Sequence, residues 1–121
     1  MDILIVKKFR AWTDIRSLDE WEKDVDTIIE LFTDAEKPVN FVAWYVAEPD
    51  HTLHHNGYYN GEYEKTLSRL DNLFGYFLSR LDDSGFADEI NVILTADHGH
   101  IQHSIIDLWW SAKQEHLCDV D

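Results

Sequence analysis

Two predominantly apolar runs, "VNFVAWYVA" from Val39 to Ala47 and "INVILTA" from Ile90 to Ala96, constrain the fold most tightly. Both are rich in β-branched and aromatic residues and neither alternates with polar ones, the pattern of strands covered on both faces. Between them Tyr63, Leu67, Leu70, Phe74, Phe77, Leu78 and Leu81 recur at helical spacing, with Gly85 placed for a left-handed stop. A strand, a long helix and a second strand make a right-handed βαβ crossover, so the two strands are expected to be parallel and to end at the same sheet edge. An earlier helix is expected over 18–34. It opens with a Ser17/Glu20 capping box, carries Trp21, Val25, Ile28, Ile29 and Phe32 on one face, and is stopped by Lys37-Pro38. A short third helix is expected around Ile105 to Trp110. The fold class is therefore α/β.

Each apolar run ends in a cluster of metal-binding side-chain types. "EPDHTLHHNG" follows the first and "DHGHIQH" the second, and together they hold six of the seven histidines. Open α/β sheets place ligands beyond the carboxyl ends of their strands. Adjacent strands lie about 4.8 Å apart, so residues just past two neighbouring tips share one site. Asp50 with His54 and Asp97 with His98 are the candidate ligands, because carboxylate oxygen and neutral imidazole form the donor set that zinc favours. Gly57 and Gly99 are expected to let the two loops turn. A single Asp-His pair at a strand end is ordinarily a solvated loop or a helix cap; two pairs at neighbouring ends point to a metal. His51, His55, His100 and His103 are read as exposed loop residues or as donors that orient ligands, and His116 as solvated. Tyr58, Tyr59 and Tyr63 serve either as an apolar wall beside the site or as packing at a helix start. Thr52 and Ser104 lack the neighbouring base or strained turn of a nucleophile.

The formal charge of −14 repels phosphate backbones and anionic lipid headgroups while attracting divalent cations, which argues against nucleic-acid binding and direct membrane contact. Cys118 is the only cysteine, so no internal disulfide forms. No stretch has the length of a membrane span, and the N-terminal residues lack the order of a secretion signal.

The string "YVAEPDHTLHHNG" resembles the "EPDxxGHxxGP" segment of the nucleotide pyrophosphatase/phosphodiesterase family of the alkaline phosphatase superfamily, and "NVILTADHGH" resembles its "NxIxxSDHGM" segment. The likeness implies the middle part of a phosphodiesterase catalytic domain, best matched over 17–108 with 109–121 a poorly matched tail. It implies a fragment of an alkaline-phosphatase-like three-layer sandwich with parallel strands and flanking helices. By that resemblance two zinc ions serve hydrolysis of phosphodiester or pyrophosphate bonds in a small nucleotide substrate, outside the cell or at its surface. Asp50 and His54 would hold one ion with a histidine far downstream, and Asp97 and His98 the other with an upstream Asp and a Thr or Ser nucleophile. Those partners have no counterpart here, so the chain alone is expected to be inactive. The sequence departs from the family pattern at Leu53, Tyr58 and His100, which stand for Gly, Pro and Met, and its nearest candidate for a base-stacking aromatic, Trp12, is out of register. The alternative is a non-catalytic α/β binding or regulatory module with one structural metal.

Overall fold

The structure is a computed structural model that describes residues 16–101. Three helices appear in it: α1 over Leu18–Thr33, α2 over Asp50–Asn56 and α3 over Glu62–Asp83. The expectations for Trp12, His103, Ser104, His116, Cys118 and a helix around Ile105 to Trp110 lie outside the described residues.

Helix α1 begins where the capping box places it. The Glu20 amide donates to Ser17 Oγ at 3.3 Å, and the Ser17 amide donates to Glu20 Oε2 at 2.8 Å, so two amides that a helix start leaves unpaired are satisfied reciprocally. Its far end, at Thr33, lies within a residue of the expected one, but the stop signal is a different one. Asp34 Oδ1 accepts from the amides of Glu36 and Lys37 at 2.8 and 2.9 Å, so a carboxylate turn ends the helix before Pro38 is reached. These two amides hold the Asp34 carboxyl below its usual range.

Trp21, Val25, Ile28 and Ile29 are buried on one face of α1. Trp21 and Val25 meet Leu73 of α3, with Leu18, Leu70, Tyr76, Phe77 and Val46 packed around them. Val25 is fully shielded, at 0% exposure. Fully burying an aliphatic side chain contributes about 1.5–3 kcal/mol, so this seam is the main source of stability among the described residues. A polar clamp borders it: Tyr76 Oη and Arg80 Nε both donate to Asp26 Oδ1, at 2.9 and 2.7 Å. The Arg80 hydrogen bond is the main cause holding the Asp26 carboxyl below its usual range. The Arg69 guanidinium lies 5.7 Å from the centroid of the Trp21 ring, within cation–π reach.

The buried face of α3 is rotated from the stripe expected. Thr66, Leu73 and Leu81 are buried, with Leu70 and Phe77 partly so, whereas Leu67 and Leu78 are exposed. One face meets α1, and the leftover apolar residues lie on the adjoining flank. Gly85 closes the helix end as foreseen, with φ 77° and its amide on the Asp82 carbonyl.

The segments 39–47 and 90–96 form no strand among the described residues. Val39 is buried and its amide reaches the Leu31 carbonyl at 3.0 Å, but Tyr45 is 59%, Ile93 86% and Leu94 78% exposed. The physical reason is the difference between local and borrowed hydrogen bonding: a helix pairs its own amides, whereas a strand exists only through neighbours on either side.

Candidate metal centre

Helix α2 stands where a loop was expected. Pro49, joined to Glu48 by a cis peptide bond, precedes it, and Glu48 Oε2 accepts the Thr52 amide at 3.0 Å inside the first turn. Gly57, at φ 65°, ends it with its amide on the Leu53 carbonyl at 2.9 Å. Leu53 is buried, and Thr52 Oγ1 lies 3.2 Å from the buried Thr66 Oγ1, so the helix is fastened to α3 on that side. The Leu that departs from the family's Gly is thus the anchor of the turn. The Thr52 hydroxyl is engaged with Thr66.

Helical pitch puts residues four apart on one face. Asp50 and His54 therefore project together, with His54 Nε2 3.4 Å from Asp50 Oδ1. His51 and His55 form a second such pair, their rings stacked at 4.2 Å, with His55 Nδ1 2.8 Å from the His51 carbonyl and His51 Nδ1 3.7 Å from Glu48 Oε1.

The second cluster meets the first at Asp50. His100 Nε2 lies 2.5 Å and His98 Nε2 3.7 Å from Asp50 Oδ1. The His98 and His100 rings are 4.7 Å apart, and His100 meets His54 edge-on at 6.1 Å. One carboxylate oxygen, on a side chain 21% exposed, thus faces three imidazoles drawn from segments about fifty residues apart in sequence. The His98 ring is set by its other nitrogen: Nδ1 lies 3.0 Å from the Gly99 carbonyl, which leaves Nε2 facing Asp50.

Of the four expected ligands, Asp50, His54 and His98 come together. Asp97 stays at the rim with its side chain 78% exposed, 3.8 Å from His98 Nε2, and receives the His98 amide at 3.1 Å. Gly99 adopts no left-handed conformation, so the turn expected of it is absent. Beside the expected set, Asp50, His54 and His100 offer ligand atoms all within 4.8 Å of one another. The available signal was the two-residue spacing of His98 and His100, which lets both imidazoles reach Asp50. Tyr58, Tyr59, His100 and Ile101 line an open recess of about 340 Å³ beside this cluster. Tyr58 also meets Tyr63 at 5.2 Å, and burial pushes its hydroxyl above the usual tyrosine range.

Comparison with known proteins agrees with the motifs. The chain is 35% identical over 80 residues to ectonucleotide pyrophosphatase/phosphodiesterase family member 7 of Rattus norvegicus, covering 66% of this chain and 18% of the relative. It is 30% identical over 124 residues to family member 5 of Homo sapiens, covering 99% of this chain and 26% of that protein. It is 33% identical over 85 residues to the human bis(5'-adenosyl)-triphosphatase ENPP4, covering 69% of this chain and 19% of the relative. The chain therefore spans about a quarter or less of the length of these curated relatives. No solved structure matches it. The profile of the type I phosphodiesterase / nucleotide pyrophosphatase family matches residues 5–109, and the chain belongs to that family.

Proposed function

We propose that this chain carries part of the metal-binding apparatus of a two-zinc phosphodiesterase that hydrolyses phosphodiester or pyrophosphate bonds in small nucleotides on the outer side of the cell. The observation that carries the reading is the convergence on Asp50 of His54 from α2 and of His98 and His100 from the distant second cluster. One carboxylate among imidazoles is the donor set that zinc prefers. Family membership and the names of the relatives, one of them a bis(5'-adenosyl)-triphosphatase, support a nucleotide substrate. No helix among the described residues is long and apolar enough to cross a membrane.

In this reading Asp50 and His54 hold one ion, while Asp97 and His98 contribute to the second. The metals, when bound, stabilise the charged phosphoryl oxygens during nucleophilic displacement. The open recess walled by Tyr58 and Tyr59 next to His100 offers aromatic surface for a nucleotide. The segments 39–47 and 90–96 enter a parallel sheet of the alkaline-phosphatase-like sandwich when neighbouring strands are supplied. That arrangement accounts for apolar side chains as exposed as Ile93 and Leu94. The chain by itself is proposed to be inactive, since the described residues include no activated hydroxyl beside the cluster.

Elemental analysis of the purified chain beside Asp50→Ala and Asp97→Ala, combined with a nitrophenyl nucleotide ester assay, tests this. Zinc is expected in the unaltered chain, lost in Asp50→Ala and reduced in Asp97→Ala, with turnover at background throughout. A chain that takes up no metal overturns the metal assignment, and robust turnover by the chain alone overturns the proposed inactivity.

A further inference from the structure

We propose that Asp50, His54 and His100 form a self-contained three-ligand site for zinc or another first-row divalent ion, with His100 supplying the third donor. The family motif has Met at position 100, and the resemblance assigns the third ligand to a histidine far downstream. This inference shares Asp50 and His54 with the proposed hydrolase reading, but it requires neither turnover nor a second ion.

The spacing of the donors supports it. Tetrahedral zinc with bonds of about 2.0–2.1 Å to nitrogen and about 2.0–2.2 Å to oxygen sets neighbouring ligand atoms about 3.3–3.5 Å apart. Asp50 Oδ1 and His54 Nε2 are already 3.4 Å apart. His100 Nε2 sits closer to Asp50 Oδ1, at 2.5 Å, in a direct hydrogen bond, and no pair in the triad exceeds 4.8 Å. Side-chain adjustments on the order of 1 Å bring the three donors to the separations zinc requires. Three protein ligands with the fourth position open is the arrangement of catalytic zinc, whereas two ligands hold the ion only weakly.

Backbone geometry makes the triad possible. Asp50 and His54 are one helical turn apart on α2, whose position is fixed by buried Leu53 and by the Thr52–Thr66 hydroxyl pair. His100 approaches from the other cluster with its side chain 24% exposed, less open than His54 at 59% or His98 at 53%. His98, whose Nε2 is 3.7 Å from Asp50 Oδ1, is the nearest competitor for the third position. The shorter His100 distance and its lower exposure favour His100.

The test titrates the full 121-residue chain with Zn²⁺ by calorimetry and with Co²⁺ by visible absorption, beside His100→Met, His98→Ala and Asp50→Ala. His100→Met is expected to weaken binding by about 100-fold or more, beyond the loss typical of outer-shell changes, and to abolish the tetrahedral Co²⁺ absorption. His98→Ala, which removes a proposed ligand of the second ion, is expected to keep the tetrahedral Co²⁺ absorption of the triad. Circular dichroism verifies that the helices persist in each variant. In the unaltered chain, nitrogen NMR should show the ring resonances of His54 and His100 moving together on addition of one equivalent of Zn²⁺. Wild-type affinity in His100→Met, or His100 resonances that stay fixed, overturns the triad. If Asp50→Ala alone abolishes binding, the triad fails while the hydrolase reading survives; if the unaltered chain binds no metal, both fail.

Discussion

Helices α1 and α3 are less apolar in composition than the two runs on either side of α2 and α3, yet it is the helices that bury a core, while the run over 90–96 stays exposed. Trp21, Val25 and Leu73 disappear from solvent, while Ile93 and Leu94 stand almost fully in it. Apolar content alone does not bury a segment. A helix brings its own backbone hydrogen bonds to the packing event, so two helices with matching stripes complete a core between them. An extended run needs neighbouring backbone on both sides before its side chains gain anything. The same contrast reaches the site, where α2 holds Asp50 and His54 by local pitch while His98 and His100 come from an extended segment.

The sharpest test of that contrast pairs two deletions of similar bulk. Leu73→Ala is expected to cost about 2–5 kcal/mol by urea unfolding, whereas Ile93→Ala shifts stability by less than about 0.5 kcal/mol. Equal costs would mean that the extended segment is buried in solution and would erase the distinction. Next in size is the helix start: Ser17→Ala removes the hydroxyl that caps Glu20 and is expected to cost about 1 kcal/mol by the same measurement, leaving metal uptake unchanged. The smallest effect concerns the clamp on Asp26. Its carboxyl is held below the ordinary value chiefly by Arg80, so the contribution is fully present above about pH 4 and disappears as the pH falls through the lowered value. Asp26→Asn should flatten this part of the acid limb in a pH series of unfolding midpoints, and an unchanged acid limb would remove the clamp from the account. Because the pair is well solvated, its effect at neutral pH is modest.

Much of this organisation was legible in the residues. Ser17 and Glu20 announced α1 to within a residue at its start, and the periodicity from Tyr63 to Leu81 with Gly85 announced α3, because both signals are local. The rotation of the α3 face was not legible: Leu67 and Leu78 stood in the expected stripe and Leu73 did not, and only the position of α1 decides which of them is covered. Helix α2 was missed because "PDHTLHH" is short and polar, and its turn is secured by Glu48, Leu53 and Thr66, contacts that sequence spacing does not reveal. Asp50 and His54 were named from their spacing and their place after an apolar run, and α2 sets them on one face. His100 was read as an exposed or ligand-orienting histidine, because its approach to Asp50 depends on how two clusters distant in sequence meet.

The tether between Thr52 and Thr66, beside the shielded Leu53, joins the long helix to the short one that carries the proposed ligand pair. A lengthwise slip of that rod relative to its neighbour would drag the short helix with it and change the bite between oxygen and nitrogen donors. Affinity for the ion would therefore report on the alignment of the two rods, and an altered packing between them would register as altered chelation without any donor being replaced.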